Sequence, residues 1–262
     1  MPSPFTPKCP PHLPSIANPQ SSSADTITHP NSSSALKSPP PLPPNTTLQP
    51  LTPTLVPSYR RLLTAHLPIL YPPKFYALST TPPLETGTLA LCITLNPPSA
   101  TPSSPPTFGS PNSPLAIAAI QARLEPIPPD PSAPPSSSPQ PHNLYIQTLT
   151  TASPYRSLGL ATHLLSALIS RAIQIWSCCR IERVYAHVWE ANEEALGWYL
   201  RRGFGREERK CEGYYRKLRP GSAWLVGRAV GVGEYLRAGA MGVEGEGKKD
   251  GEGGAGERGV HG

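Results

Sequence analysis

The spacing of apolar residues along the chain predicts most of its elements. Residues 161–176 carry apolar side chains at Ala161, Leu164, Leu165, Leu168, Ala172, Ile175 and Trp176, three and four apart. That period predicts an amphipathic helix with one buried stripe. Ile181–Trp189 alternates instead, with Val184, Ala186 and Val188 on one face and Tyr185, His187 and Trp189 on the other, which predicts a strand. Leu55–Leu67 has helical spacing in Leu55, Tyr59, Leu62, Leu63 and His66. Pro57 falls in its first turn, where proline is tolerated, and Pro68 stops it. Thr88–Leu95, Leu115–Leu124 and Asn143–Thr150 read as strands, and Thr46–Gln49 as a short one. Asn192 suits the N-cap of a helix ending near Arg202, with Gly203 just past its end. Residues 204–211 and Tyr214–Leu218 read as final strands. The order is β, helix, three strands, helix, strand, helix, strands. It predicts an α+β fold with a mixed, mostly antiparallel sheet flanked by helices, not a serial βαβ array.

Composition changes the picture of the domain boundaries. The chain has 262 residues and 38 prolines, of which 36 lie at or before Pro141. Average usage would give about 13. Glycine does the reverse, with 14 of 21 at or after Gly221. Proline is excluded from helix interiors and central strands. One domain over residues 46–225 is therefore expected, with proline-rich insertions at 96–114 and 126–142. Residues 1–45 and 226–262 are expected to be disordered tails, because such compositions bury too little apolar surface to offset ordering. Within the first tail, Lys37-Ser38-Pro39-Pro40-Pro41-Leu42-Pro43-Pro44 has the basic residue and PxxP spacing of a polyproline ligand, a pattern that also arises by chance in such tails.

Charge and cysteine narrow the function classes. The net charge is +6, with 12 Lys+Arg against 7 Asp+Glu between residues 145 and 220. The excess is either a solvated basic surface or one suited to an anionic ligand or an acidic partner such as a ribosome. No basic block suggests direct DNA binding. The five cysteines, Cys9, Cys92, Cys178, Cys179 and Cys211, form no CxxC and make a poor disulfide framework. A reducing compartment fits, the cytoplasm and also the nucleus. No metal site is expected, since Cys178 and Cys179 lack a partner set. No signal peptide or membrane span is expected either.

The richest chemistry lies in strand, turn and helix at residues 144–176, whose turn reads Arg156-x-x-Gly159-x-Ala161. Glycine allows close backbone approach to a ligand. A helix N-terminus offers free amides and partial positive charge, which suit a diphosphate, and Arg156 adds a charged donor. Further along stand His187-Val188-Trp189, Asn192, Trp198-Tyr199-Leu200-Arg201-Arg202-Gly203-Phe204 and the pair Tyr214-Tyr215.

Together these segments resemble the GNAT superfamily of acetyl-CoA-dependent N-acetyltransferases. Leu67-Pro68-Ile69-Leu70-Tyr71-Pro72-Pro73-Lys74-Phe75-Tyr76 is similar to the FPVxYxxKFY segment of the NatE catalytic subunit family. Leu144–Leu149 resembles its YIMTL strand and Tyr155–Gly159 its YRRLG turn. Val184–Val188 resembles its IYLHV strand and Gly213–Lys217 its NYYKR. The resemblance implies acetyl-CoA as cosubstrate, held by Leu149, Thr150, Thr151, Arg156, Ser157, Leu158, Gly159, Leu160, Ala161, Thr162, Asn192 and Tyr199. It implies a peptide site formed by Leu67, Pro68, Ile69, Tyr71, Arg123, Tyr145, Gln147, Tyr214 and Tyr215. It also implies Tyr145 and His187 as a catalytic pair working through water. The departing thiolate needs a proton or a hydrogen bond, and Tyr199 is the candidate for that role.

The chemistry agrees with these residue types. An α-amino group, with a pKa of about 7.7–8.0, must lose a proton before it attacks a thioester. A histidine is a base in the right range, although a lone histidine on a strand is ordinarily a hydrogen-bonded structural residue. The expected activity is acetylation of protein or nascent-chain N-termini, with lysine ε-amines as further acceptors. A NatA scaffold, its catalytic subunit and the ribosome are the expected partners, and the alternative is a docking subunit of such a complex with little activity. Leu67 stands where the family has Phe, and Gln147 where it has Met. Both departures bear on any preference for an N-terminal methionine.

Overall fold

The computed structural model describes residues 40–96, 114–129 and 139–243. Its elements in chain order are β1 (Thr46–Pro50), α1 (Val56–His66), α2 (Pro73–Leu78), α3 (Pro83–Thr86), β2 (Thr88–Leu95), β3 (Leu115–Pro126) and β4 (Pro141–Thr151). These are followed by α4 (Leu160–Ile175), β5 (Arg180–Trp189), α5 (Glu193–Leu200), β6 (Gly205–Arg206), β7 (Ala223–Ala229) and α6 (Val232–Val243). The seven strands form one sheet in the order β1-β2-β3-β4-β5-β7-β6. Only β4 and β5 pair in parallel, with α4 as their crossover. The expected mixed, mostly antiparallel sheet with flanking helices is what forms.

Each face of the sheet is covered by helices. Leu164, Leu165, Leu168, Ile169 and Ala172 of α4 pack on Leu91, Ile93, Ile117, Ile120 and Leu144. On the other face Tyr59, Leu62 and Leu63 of α1 and Phe75 of α2 cover Ala90, Cys92, Ala116 and Ala119. The small residues of β2 and β3 on that side let α1 lie close. Each fully buried Leu or Ile contributes about 1.5–3 kcal/mol relative to exposure.

Two irregularities shape the centre of the sheet. In the β3–β4 ladder Ala122 opposes Ile146 and Gln121 opposes Thr148, so Gln147 is the extra residue of a β-bulge. On its other side β4 pairs with β5 only as far as Ile146 opposite Ala186. Both strands continue beyond that point, and β5 remains paired with β7. The two parallel strands therefore part in mid-sheet.

Four sequence expectations are corrected. Tyr214–Leu218 is not a strand. It lies in a turn region closed by Tyr215 N–H to Gly221 O at 2.8 Å, and its tyrosine rings pack inward instead of joining a ladder. Residues 204–211 hold only the two-residue β6 and a single bridge from Cys211 to Ala223. The last strand is β7, and ordered chain runs on through α6 to Val243, past the expected boundary at 225. Helix α6 is held to the body by Tyr235, whose hydroxyl accepts from Ile181 N–H at 2.7 Å and donates to Ile181 O at 3.1 Å. Gln174 Nε2 also donates to Ala238 O at 2.8 Å. The second insertion is narrower than expected, since Pro126 and Pro141 end the strands and Pro126 pairs with His142. Residues 97–113 of the first insertion, the middle of the second, and Lys37–Pro39 of the PxxP motif lie outside the described residues.

Candidate active site

A cleft of roughly 100 Å³ opens where β4 and β5 part. Ile146–Leu149 form one wall and Ala186–Trp189 the other. Leu67, Pro68, Ile69 and Tyr71, in the loop after α1, close one end, and Tyr215 and Leu218 border it as well. Asn192, Ala195 and Tyr199 line the remainder. Parallel strands that stop pairing leave backbone groups free for a ligand, so the opening itself is a binding feature.

His187 sits at the centre of an aromatic cluster. Tyr214 stacks on its ring at 4.2 Å between centroids and 16° between planes. Tyr145 meets the same ring edge-on at 5.5 Å, and its hydroxyl is 2.6 Å from that of Tyr214. Tyr215 donates its hydroxyl proton to the His187 backbone carbonyl at 3.1 Å. Burial pushes the imidazole down to about 4, with a weaker opposing pull from the Glu125 carboxylate. The ring is thus neutral near physiological pH. Its Nδ1 is buried without a hydrogen-bond partner among the described residues. Burial raises the pKa of Tyr145, although the hydrogen bond from Tyr214 acts the other way. Burial raises Tyr199 as well, so both remain protonated phenols.

The glycine turn forms at the start of α4. Gly159 has φ +78 and is the helix N-cap with no side-chain cap, and Ser157 has φ +64. A left-handed N-cap suits glycine and leaves the first amides of the helix, Leu160 and Ala161, without an intrahelical acceptor. A Cβ on Gly159 would come within 2.9 Å of the Pro40 ring, and the His163 imidazole bonds Pro40 O. Arg156 is partly exposed and pairs with Glu194 at 3.1 Å. Thr150 is buried, Thr151 ends β4, and Leu158 is exposed. The Asn192 side chain caps α5 by accepting from Ala195 N–H at 3.1 Å, as its position predicted.

Most of the residues singled out from the sequence gather here, with exceptions. Leu67, Pro68, Ile69, Tyr71, Gln147, Leu149, His187, Asn192, Tyr199 and Tyr215 line the cleft, and Tyr145 and Tyr214 brace His187 behind it. Arg123 does not line the cleft. Its guanidinium pairs with Glu125 and lies 5.9 Å from the Tyr145 ring centre. Sequence reasoning missed Glu125 and Tyr185. The Tyr185 phenol donates to Glu125 and its ring stacks on Tyr145 at 5.0 Å. It also missed Arg202, whose guanidinium holds Thr162 Oγ1 at 2.7 and 3.0 Å in the first turn of α4. The alternation of β5 was a usable signal for Tyr185, since it shares a face with His187. No local pattern marked Arg202. Among the described residues, no three His, Cys, Asp or Glu side chains group as metal ligands.

Residues 117–204 match the acetyltransferase (GNAT) family profile. Among curated proteins the chain is similar to N-alpha-acetyltransferase 50 of Danio rerio, 26% identical over 180 residues that span 69% of this chain and 86% of that protein. It is also 24% identical to the probable N-acetyltransferase san of Drosophila melanogaster over 180 residues, 69% of this chain and 78% of that one. Arabidopsis thaliana NAA60, solved with a bisubstrate analogue, shares the fold with a TM-score of 0.54 at 20% identity, over 71% of this chain and 99% of that chain.

Proposed function

We propose that the protein transfers acetyl from acetyl-CoA to the α-amino group of protein N-termini. One observation carries this reading: a neutral, partly buried histidine with tyrosine phenols lies at a cleft closed at one end by Leu67–Tyr71, between β4 and β5, whose crossover helix α4 starts at Gly159 without a side-chain cap. The relatives named as N-alpha-acetyltransferases support the substrate class. The Arabidopsis NAA60 structure with acetyl-CoA, at a TM-score of 0.52, supports the donor.

The residues present fit that donor. Gly159 keeps the turn free of a Cβ, the amides of Leu160 and Ala161 are unpaired within the helix, and Arg156 adds positive charge, which together suit a diphosphate. Leu149, Asn192 and Tyr199 would line the path from that turn to His187. Bound there, acetyl-CoA supplies the activated acetyl group as a thioester.

The protein's own groups then handle the protons. The amine enters as its neutral fraction, because an imidazole with a pKa of about 4 does not strip a proton from an ammonium group near 8. As the new C–N bond forms, the nitrogen becomes a far stronger acid. His187, kept neutral by burial, and Tyr145, joined to Tyr214 at 2.6 Å, offer that proton a route away. The Tyr199 phenol, kept protonated by burial, gives the departing sulfur a hydrogen bond. Tyr71 and Tyr215 enclose the peptide.

The test is product mass from the purified protein, acetyl-CoA and peptides with free N-termini. The reading predicts an acetyl group on the α-nitrogen. It further predicts that His187→Ala and Tyr145→Phe lose most turnover while still binding CoA by calorimetry. Full turnover in both variants would remove them as the proton route.

A further inference from the structure

A buried polar network continues from the core to the cleft and ends at the bulge residue of β4. Gln121 is 1% exposed. Ser79 Oγ lies 2.6 Å from its Oε1, and the Tyr59 hydroxyl donates to the same atom at 3.1 Å. Tyr59 is in turn 3.2 Å from Thr148 Oγ1, and both side chains are buried. Gln121 Oε1 thus accepts from Tyr59 and faces Ser79, whose hydroxyl also lies 2.9 Å from Phe75 O. Gln121 Nε2 faces the other way and donates to Gln147 Oε1 at 3.2 Å.

This fixes the amide of Gln147. Gln147 Oε1 accepts from Gln121, which leaves its Nε2 as the amide atom available to the cleft it lines. The bulge is what brings it there, because Gln147 is left out of the β3 ladder and lies past the last β4–β5 pair. Around it, Leu67, Pro68 and Ile69 supply apolar walls. The α-carbon of a substrate is bonded directly to the attacking nitrogen, so its first side chain must fill space between His187 and this wall.

Resting on the acetyltransferase reading, we propose that Gln147 is a specificity-determining residue. Held by Gln121, it is a fixed amide donor that selects N-termini whose first side chain carries an oxygen acceptor, over methionine and other apolar first residues. An acceptor such as the Asn or Asp side chain satisfies the Nε2 protons. An apolar side chain covers them without a partner, and a buried unpaired donor is costly. Discrimination of this kind is larger than a hydrophobic pocket reaches through one methylene.

The experiment compares kcat/KM of the full chain for peptides identical except at the first residue: Asn, Asp, Ser, Met and Leu. The expected result is a preference of about tenfold or more for Asn or Asp over Met and Leu. Gln147→Met is expected to reverse that order. The near-isosteric Gln147→Glu, which accepts from Gln121 and turns a carboxylate to the cleft, is expected to lose the Asp peptide selectively. The wild-type ranking needs no variant to fold. Equal or better use of Met by the wild type overturns the proposal, as does an unchanged ranking in both variants. Absence of transfer to every peptide instead overturns the acetyltransferase reading, and this inference with it.

Discussion

Between pH 5 and 8 the substrate amine, not His187, is expected to set the rate. Burial holds the imidazole at about 4 against an ordinary value of about 6.5. At pH 5.5 such a ring is about 97% neutral, whereas an ordinary histidine would be about 9% neutral. The peptide amine, with a pKa of about 7.7–8.0, loses its reactive form tenfold per unit below that range. The acid limb of kcat/KM reports free enzyme and free substrate. A plot of log kcat/KM against pH, with product followed by mass, should therefore rise with unit slope from pH 5 to about 8 and then level. An unburied catalytic histidine would make the slope two below pH 6.5, with about a further tenfold loss at pH 5.5. A break to slope two between pH 6 and 7 would refute the buried, neutral base. The shift also has a sign for stability. Above pH 6.5 neither the folded nor the unfolded state carries the proton, so nothing changes. As pH falls from 6.5 to 4 the unfolded chain binds a proton that the folded one refuses, and stability drops by at most about 3 kcal/mol.

Three further outcomes follow from named contacts. Gly159→Val asks a β-branched residue to adopt φ +78 with Pro40 2.9 Å from its Cβ, so KM for acetyl-CoA should rise about tenfold or more, and an unchanged value would remove the turn from the cofactor site. Tyr59→Phe deletes the hydroxyl between Gln121 and Thr148 and should cost about 1–3 kcal/mol in denaturant melts. Cys92 is buried with its thiol pushed up to about 12, so alkylation of the native protein at pH 8 should label exposed Cys178 well before Cys92. Early labelling of Cys92 would contradict the packing of α1 on β2.

The sequence revealed those parts of the fold where one physical pattern dominated. Helix α4 and strand β5 follow their periods almost residue for residue, because each buries one face against a continuous core. Asn192 was legible since its capping bond is local. The bulge at Gln147 was not. Both faces of β4 are covered at the centre of the sheet, so the alternating pattern runs through the extra residue without a mark. Helix α6 was hidden by Gly233 and Gly239, which weaken intrinsic helix propensity. Its contacts with Gln174 and Ile181 outweigh that propensity and lie far away in sequence. Tyr214 and Tyr215 looked like strand residues because they are aromatic, yet their partners are His187 and Tyr145. The candidate site was read mainly from order and resemblance of motifs. What joins them, the parting of β4 from β5 and the Gln121–Gln147 bond, exists only once strands distant in sequence are paired.

The most direct test of the central claim is one reaction of the full-length protein with acetyl-CoA and a peptide that has a free N-terminus and an internal lysine. Fragment masses locate the acetyl group. The account predicts it on the α-nitrogen, in a reaction that His187→Ala largely abolishes. An acetyl group confined to the lysine, or no transfer to any such peptide, would contradict it.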